Sequence, residues 1–192
     1  NSVLLANKIR PIFLKGTGNL LAGIYDDIAE RMVGDIDFIF SKEDYLKAIT
    51  ILRESGYSEV HKSKYYFPGV NKHYRRLQKK NSIAAIEIHK NFIDIKKNIK
   101  EFNYSLVKKD SQVINGFKVL SYANKLNLSI IANQINDDGF YYKRMALRNA
   151  YDVFLLSKKT NAKDAVNTLD KLSHPLNCFL AACDEVFDRV DS

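Results

Sequence analysis

The sequence predicts an α+β fold, in which a sheet of short strands is followed by helices. Apolar and acidic residues alternate over residues 35–40, as they do in a strand with one buried face. Short apolar runs between residues 57 and 89 are separated by turn-forming residues, which is typical of an antiparallel meander. Beyond residue 121 apolar side chains recur at helical spacing. We therefore expect a sheet-containing domain over residues 1–120 and a helical subdomain over residues 121–192.

The first elements are delimited by proline, glycine and serine. Residues 3–9 are predicted to end a helix that Arg10-Pro11 interrupts, because proline disfavours helix in the residue before it. An apolar strand over residues 12–14 then reaches a glycine turn, Lys15-Gly16-Thr17-Gly18, and a helix is expected over residues 18–30. After the strand at residues 35–40, Ser41 is a predicted N-cap, and the helix that it opens should stop at Ser55-Gly56.

The rest of the chain changes from strands to helices. Four strands are predicted, over residues 57–60, 65–67, 73–77 and 84–89. Residues 96–102 are ambiguous, and residues 113–120 fit either a hairpin arm or a strand closed by Asn115-Gly116. Four helices are predicted, over residues 122–135, 142–157, 162–172 and 176–190.

Two acidic residues in an otherwise apolar strand are the strongest candidates for a functional site. Alternation places Asp35 and Asp37 on one face, about 7 Å apart, where their oxygens suit one or two hard cations such as Mg2+. A solvated edge strand is the alternative explanation. The glycine turn at the start of the next helix offers backbone N–H groups to a phosphate, although Gly16 can simply end a strand and Thr17 can simply cap a helix. Glu87 and His89 share a face of the later strand by the same alternation.

The order of these motifs carries a family resemblance. Gly16-Thr17, a helix and then Asp35-Ile36-Asp37 resemble the glycine-plus-Ser/Thr and Asp-x-Asp signature of the nucleotidyltransferase superfamily, which has the polymerase-beta-like fold. Leu14-Lys15-Gly16, Arg31 before Gly34-Asp35, and Glu87-Ile88-His89 look like the uncharacterised bacterial nucleotidyltransferase-like family. The abortive-infection toxin nucleotidyltransferases resemble the chain more distantly, through the same Lys-Gly and Asp-Ile-Asp motifs. The resemblance covers roughly residues 10 to 92.

The resemblance implies a fold, a reaction and a set of site residues. The fold would be a mixed β-sheet flanked by helices, in which the strand of Glu87 lies beside that of Asp35 and Asp37. These three carboxylates would hold Mg2+ (or Mn2+), and NMP would pass from an NTP to an acceptor hydroxyl on RNA, a protein or a small molecule, releasing pyrophosphate. Nucleotide and phosphate contacts are expected from the following residues: Lys15, Gly16, Thr17, Arg31 and Lys143. His89 is a further candidate near the metal or the acceptor, or else a packed histidine.

The charge distribution supports a second hypothesis. The net charge is +8, and residues 61–110 hold 13 Lys and Arg against four acidic residues. The glycine motif reads Gly-Thr-Gly where Gly-Ser or Gly-Gly is more usual, position 87 is Glu where Asp is common, and Asn133 stands where relatives often carry His. A catalytically degenerate module is therefore the alternative. It would bind RNA or another polyanion through the basic region, with bases stacking on Tyr65-Tyr66-Phe67 and near Tyr74-Arg75-Arg76.

Composition sets the remaining expectations. No apolar run approaches the roughly 20 residues that a membrane span needs, and the first residues lack the features of a signal peptide. Cys178 and Cys183 lie five positions apart in a helical pattern, so a disulfide or zinc framework is not expected. A cytoplasmic, reducing location and no membrane partner are the expectation.

Overall fold

The computed structural model describes residues 1–60, 71–97 and 100–187, which form a mixed sheet and eight α-helices. The strands are β1 (Ile12–Phe13), β2 (Asp35–Ile39), β3 (Tyr57–Glu59), β4 (Leu77–Lys79), β5 (Ala85–His89), β6 (Gln112–Ile114) and β7 (Phe117–Val119). The helices are α1 (Ser2–Ala6), α2 (Lys15–Leu21), α3 (Lys42–Glu54), α4 (Tyr104–Lys109), α5 (Tyr122–Ile131), α6 (Leu147–Ser157), α7 (Ala162–Asn167) and α8 (Ser173–Phe187). Short 3-10 turns occupy Ile28–Glu30 and Ile95–Lys97, and a π-helical turn, Ala132–Asn136, extends α5.

The seven strands lie in the order β3-β4-β5-β2-β1-β7-β6. Strands β2 and β5 are parallel neighbours near the middle of the sheet, while β1 runs antiparallel to β2 and parallel to β7. Strands β3, β4 and β5 form an antiparallel meander, as the sequence predicted. The α+β fold with a mixed sheet flanked by helices is thereby confirmed. The strand predicted over residues 73–77 is instead found at Leu77–Lys79.

The alternation in β2 and β5 separates two cores on opposite faces of the sheet. Phe38, Ile86 and Ile88 pack with Ile49 and Leu52 of α3 on one face. On the other face Ile12, Leu14 and Ile39 belong to a larger cluster that includes buried side chains of α5, α6, α7 and α8. This larger cluster contains residues from both sides of position 120, and the proposed domain boundary there stays a prediction.

Two local predictions, the Ser41 cap and the hairpin at residues 112–119, are confirmed. The Ser41 side chain accepts a hydrogen bond from the Asp44 backbone N–H, and α3 ends before Ser55. Residues 112–119 form a hairpin, β6 and β7, that turns at Asn115-Gly116. Among the described residues, no helix has both the length and the apolar character needed to cross a bilayer. Cys178 is exposed, Cys183 is buried, and both are free thiols.

The helix predicted over residues 18–30 is wrong at both ends. Helix α2 already begins at Lys15, so the expected glycine turn is its first turn. It ends at Leu21 because Gly23 adopts φ +64°, which is outside the right-handed helical region. Asp27 then caps a separate 3-10 turn with a capping box that closes on Glu30.

In the C-terminal half, α6 begins at Leu147 rather than at residue 142. Residues 137–146 instead form a loop that is bonded to the π-helical turn, and Lys143 within it has φ +53°. Helix α7 ends at Asn167, five residues before the predicted end, and α8 begins at Ser173. Helix α4 was not predicted. The strand predicted over residues 65–67 and the end of the last helix lie outside the described residues.

Candidate active site

Two carboxylates face each other across the pair of central parallel strands. Asp37 in β2 is registered directly opposite Glu87 in β5, and their side chains emerge on the same face of the sheet. Both residues are buried, with 7% and 9% of their surface exposed. Carboxylates are expensive to bury unless cations or hydrogen-bond donors surround them, so their neighbours explain how this arrangement persists.

His89 is the nearest of these neighbours on the same face. Its Nε2 lies 2.8 Å from Asp37 Oδ1 and 3.7 Å from Glu87 Oε2. The residue is 2% exposed, and its Nδ1 is buried without a hydrogen-bond partner. Burial lowers the pKa of His89, although the hydrogen bond with Asp37 opposes this effect. His89 is therefore part of the carboxylate cluster rather than an isolated packed histidine.

Lys15 brings a positive charge into the cluster from the start of α2. Its Nζ donates to Asp37 Oδ1 at 2.5 Å and lies 3.7 Å from Glu87 Oε2. Lys15 has φ +48°, an uncommon conformation for a residue with a side chain. The Leu14 N–H donates to the Asp37 carbonyl immediately before this residue, so the backbone is tied to β2 where the lysine side chain leaves it.

Arg76 is a member of the cluster that the sequence analysis named only in the alternative, polyanion-binding hypothesis. Its guanidinium pairs with the carboxylates of Asp35 and Glu87, the latter at 3.1 Å from Nε. Arg75, the adjacent residue, pairs with Glu59 at 2.8 Å. The sequence showed only a basic pair in a predicted strand. The antiparallel pairing of Leu77 with Ile86 is what brings Arg76 to Glu87.

The two aspartates of β2 have opposite electrostatic environments. Burial alone would raise the pKa of Asp37, but the His89 hydrogen bond and the Lys15 charge outweigh it and lower that pKa to about 2. For Asp35, burial and the neighbouring carboxylates Glu87 and Asp37 raise the pKa, and the Arg76 charge offsets this only in part. Asp37 is therefore fully ionised at neutral pH.

Asp37, Glu87 and His89 together form a donor set for a divalent cation. One ligand atom from each of the three lies within 4.8 Å of the others. Carboxylate oxygens suit Mg2+ and Mn2+, and imidazole is a better ligand for Mn2+ than for Mg2+. Asp37 is ionised, as metal ligation requires. Because an ionised carboxylate only accepts, His89 Nε2 carries the proton in its contact with Asp37, and that proton would move to Nδ1, which has no hydrogen-bond partner, for Nε2 to bind a cation. The residues present therefore fit a divalent cation, with His89 in the set and Asp35 outside it.

Gly16 and Thr17 lie in the first turn of α2, next to Lys15. The Thr17 hydroxyl donates to the Asp35 carbonyl at 3.2 Å, which joins α2 to β2. A side chain at Gly16 would come within 3.1 Å of the Arg31 guanidinium carbon and 3.0 Å of Val33. Both residues thus have a packing role, beside their predicted contact with phosphate.

Arg31 forms a buried ion pair with Asp152 of α6. Its Nε donates to Asp152 Oδ1 at 3.0 Å and its Nη2 to Oδ2 at 3.2 Å. The side chains are only 9% and 2% exposed. The Tyr25 hydroxyl also donates to Asp152 Oδ1, at 2.7 Å, and burial together with this carboxylate raises the pKa of Tyr25. Asp152 was not selected from the sequence, where it is one acidic residue in a predicted amphipathic helix.

A cavity of about 140 Å3 adjoins the carboxylate cluster at Lys15 and lies against α5 and α6. Lys15 and Arg31 line it together with Lys72 and Arg148. Within the described residues, neither Lys72 nor Arg148 forms an ion pair, and burial lowers the pKa of Lys72. The remaining lining residues are Leu128, Ser129, Ala132, Asp137, Asn149 and Asp152.

Lys143, the predicted nucleotide contact in the helical region, is exposed and lines a second cavity of about 590 Å3. That cavity is mainly apolar, and α8 contributes Cys178 and Phe179 to its wall. Arg148, five residues further along, is the helical-region cation that reaches the cavity beside Lys15.

A family model described as "Uncharacterised nucleotidyltransferase" matches residues 1–184. The solution structure of the antibiotic-resistance factor ANT(2'')-Ia is similar, with a TM-score of 0.55 and 11% sequence identity over 97% of this chain and 92% of that one. JHP933 from Helicobacter pylori aligns with a TM-score of 0.47 and 15% identity, over 92% of this chain and 71% of that one. No curated protein matches the chain.

Proposed function

Since this chain belongs to the family of uncharacterised nucleotidyltransferases, we propose that it transfers NMP from an NTP to an acceptor hydroxyl and requires a divalent cation. The observation that carries the proposal is the adjacency of two unlike groups of side chains. Asp37, Glu87 and His89 form a donor set for a cation, and the cavity beside them contains Lys72 and Arg148, which have no ion-pair partner in the part of the chain that the structure describes. A triphosphate with its metal is a ligand that uses both groups at once.

Lys15 links the two groups, because it contacts Asp37 and also lines the cavity. In the proposed complex Lys15, Lys72 and Arg148 neutralise the triphosphate and hold its α-phosphate beside the carboxylates. The backbone N–H groups of Gly16 and Thr17, which have no partner within α2, supply further donors to a phosphate oxygen. Arg31 serves this site indirectly, because its ion pair with Asp152 fixes the cavity wall.

The transfer requires one bond to form and one to break. The acceptor oxygen attacks the α-phosphorus in line with the leaving group, and the bond from the α-phosphorus to the bridging oxygen breaks. Pyrophosphate departs with the electron pair of that bond, and the acceptor hydroxyl loses its proton to solvent. A divalent cation held by Asp37, Glu87 and His89 would supply charge stabilisation at the α-phosphate and lower the pKa of the acceptor hydroxyl. The cations of the cavity counter the charge that develops on pyrophosphate.

Lys15 and Arg76 hold the carboxylates together in the structure as it stands. Because both pair with the oxygens that a metal would use, binding of a cation competes with these ion pairs. The Arg76 side chain is 53% exposed, so it can leave Asp35 and Glu87 without disturbing the core. Asp35 then becomes available as an additional carboxylate on the same face, in agreement with the Asp-x-Asp resemblance.

The alternative of a degenerate module that binds RNA through residues 61–110 gains no support. Arg75 and Arg76, two of the cations it would use, are paired with acidic side chains. Its aromatic cluster at residues 65–67 lies outside the described residues.

The experiment that tests the proposal is thermal unfolding with each NTP, with and without Mg2+ or Mn2+. The wild type is compared with Asp37→Asn, and Asp110→Asn, at the end of α4, serves as a control that removes one carboxylate elsewhere. We expect the melting temperature to rise only when metal and an NTP are both present, since a ligand that binds the native state alone stabilises it. Asp37→Asn should lose this rise and Asp110→Asn should keep it. No rise with any NTP in the wild type, or an equal rise in Asp37→Asn, would refute the proposal.

A further inference from the structure

The loop between the π-helical turn and α6, residues 137–146, begins at the rim of the proposed catalytic cavity. We call it the rim loop. Its first residue, Asp137, lines the cavity, and so does Arg148, which follows directly after the loop in the first turn of α6. The loop therefore leaves the cavity wall and returns to it. Tyr141, Lys143 and Arg144 of the loop line the second, larger cavity together with residues of α8.

Hydrogen bonds hold the backbone of the rim loop in one shape. Gly139 N–H and Phe140 N–H donate to the carbonyls of Asn133 and Gln134, and the Gln134 side chain donates to the Arg144 carbonyl. A side chain at Gly139 would come within 2.7 Å of the Asn133 carbonyl oxygen and 2.8 Å of that of Arg144. The loop therefore has a defined, hydrogen-bonded conformation that leaves no room for a side chain at position 139.

Large aromatic side chains project from this fixed backbone into solvent. Tyr141 is 79% exposed, Tyr142 is 59% exposed and Phe140 is 39% exposed. The rings of Tyr141 and Tyr142 meet edge to face, with centroids 5.0 Å apart. An ordered group of exposed rings beside an active site is a surface suited to a flat, apolar ligand such as a nucleobase.

The charges on and beside the loop define the ligand further. Lys143 and Arg144 follow the exposed rings directly, and Arg148 lies in the first turn of α6. The two acidic residues of the loop stand at its start, where Asp137 lines the catalytic cavity and Asp138 pairs with Lys97. The Arg144 guanidinium lies 4.9 Å from the centre of the Tyr142 ring, so cation and stacking surface are adjacent. Exposed rings followed directly by two cations fit a ligand that carries both bases and phosphates.

We propose that the rim loop binds the acceptor and that the acceptor is the end of a single-stranded nucleic acid. Its bases stack on Tyr141 and Tyr142, its phosphates meet Lys143 and Arg144, and its terminal hydroxyl enters the cavity at Arg148. This inference rests on the proposed function, since the hydroxyl is the group that attacks the α-phosphorus. The new bond joins the terminal oxygen to that phosphorus, pyrophosphate leaves with the electron pair, and the proton passes to solvent.

The test measures nucleic-acid binding and nucleotide binding separately on the full chain. The probe is a fluorescein-labelled, mixed-sequence single-stranded RNA of 12 nucleotides, with its duplex as a comparison, in fluorescence anisotropy at several salt concentrations. The variant is Tyr141→Ala/Tyr142→Ala, whose side chains are exposed and outside the carboxylate cluster. Leu46→Ala/Ile83→Ala is the matched control, because it removes two exposed large apolar side chains elsewhere.

We expect the tyrosine variant to bind the single strand at least tenfold more weakly, since each stacked base contributes a several-fold to more than tenfold gain in affinity. The salt dependence of binding should stay the same, because no charge is removed. The rise in melting temperature with metal and NTP should also persist. Lys143→Ser/Arg144→Ser should instead reduce the salt dependence by up to about two released counterions.

Three outcomes overturn the inference while leaving the proposed function intact. In the first, the wild type responds to metal and NTP but does not bind the single strand. In the second, the tyrosine variant binds the single strand as tightly as the wild type. In the third, binding is lost in Lys79→Ser/Lys80→Ser, which removes two positive charges outside the rim loop, and is kept in the tyrosine variant. Self-association that disappears in the tyrosine variant would likewise overturn it, by assigning the loop to a second copy of the chain. Absence of any response to metal and NTP in the wild type identifies the failure as that of the proposed function.

Discussion

Replacement of Arg31 by methionine should destabilise this protein more than any exposed substitution. The Arg31 guanidinium makes three donations to the Asp152 carboxylate, and the two side chains are 9% and 2% exposed. Methionine keeps much of the side-chain volume but removes the charge, so Asp152 is left buried with the Tyr25 hydroxyl as its remaining donor. Removing one partner of a buried pair costs about 3–5 kcal/mol, because an uncompensated charge stays behind.

Urea and thermal unfolding would measure this effect. For a chain of 150–250 residues a loss of 1 kcal/mol lowers the melting temperature by about 2–4 °C, so Arg31→Met should melt about 6–20 °C below wild type. The double variant Arg31→Met/Asp152→Leu removes both charges and should recover a large part of the loss. Arg31→Met within about 1 kcal/mol of wild type, or a double variant less stable than the single one, would show that the pair does not stabilise the junction between residue 31 and α6.

Two further predictions concern sites away from the cluster. Gly18→Ala would place a methyl group 2.7 Å from the Phe13 carbonyl oxygen, and it should lower the free energy of unfolding in urea by about 1–3 kcal/mol. Gly34→Ala is the control, because an added methyl group there has nothing within 4 Å, and it should cost less than about 0.5 kcal/mol. Equal effects of the two substitutions would contradict the packing argument. Burial lowers the pKa of Lys125 to about 7 while its Nζ donates to the Leu120 carbonyl, so the folded protein gives up a proton that the unfolded chain keeps up to about pH 10.5. Wild-type stability therefore rises with pH between about 7 and 10.5, and it is constant at its lowest level below about pH 7, where both states are protonated. The stability of Lys125→Met relative to wild type should accordingly fall by about 2 kcal/mol between pH 7 and pH 9. A difference that does not change with pH in urea titrations would refute it.

The candidate site could be predicted in part because strand alternation is a local property. It placed Asp35 with Asp37 and Glu87 with His89 on common faces before any pairing was known. The partners Arg76 and Asp152 were missed for the opposite reason. Arg76 reaches Glu87 through pairing between strands, and Asp152 reaches Arg31 across 121 residues, so no spacing in the sequence reports either contact.

The errors in helix bounds have a similar origin. Residues 142–146 have helical spacing, but the side chains of Asn133 and Gln134 in the π-helical turn form hydrogen bonds with the backbone of the rim loop. Helix α6 therefore begins only at Leu147. Propensity is a weak local preference that tertiary hydrogen bonds override. At the other end of the chain, a single backbone angle at Gly23 ended α2 before its apolar pattern did.

By itself the sequence determined the α+β class, the central strand with its two aspartates, and the later strand with Glu87 and His89, because each depends on periodicity within one element. Only the tertiary structure decided which charges meet. The parallel register of β2 and β5 sets Asp37 opposite Glu87, and the turn into α2 adds Lys15. Burial of this cluster and the contacts within it shift the pKa values of Asp37 and His89. For the same reason, removing one charged partner leaves the other buried without compensation and lowers the free energy of unfolding. Register and burial are properties of the folded whole, since they arise when segments far apart in the chain exclude water together.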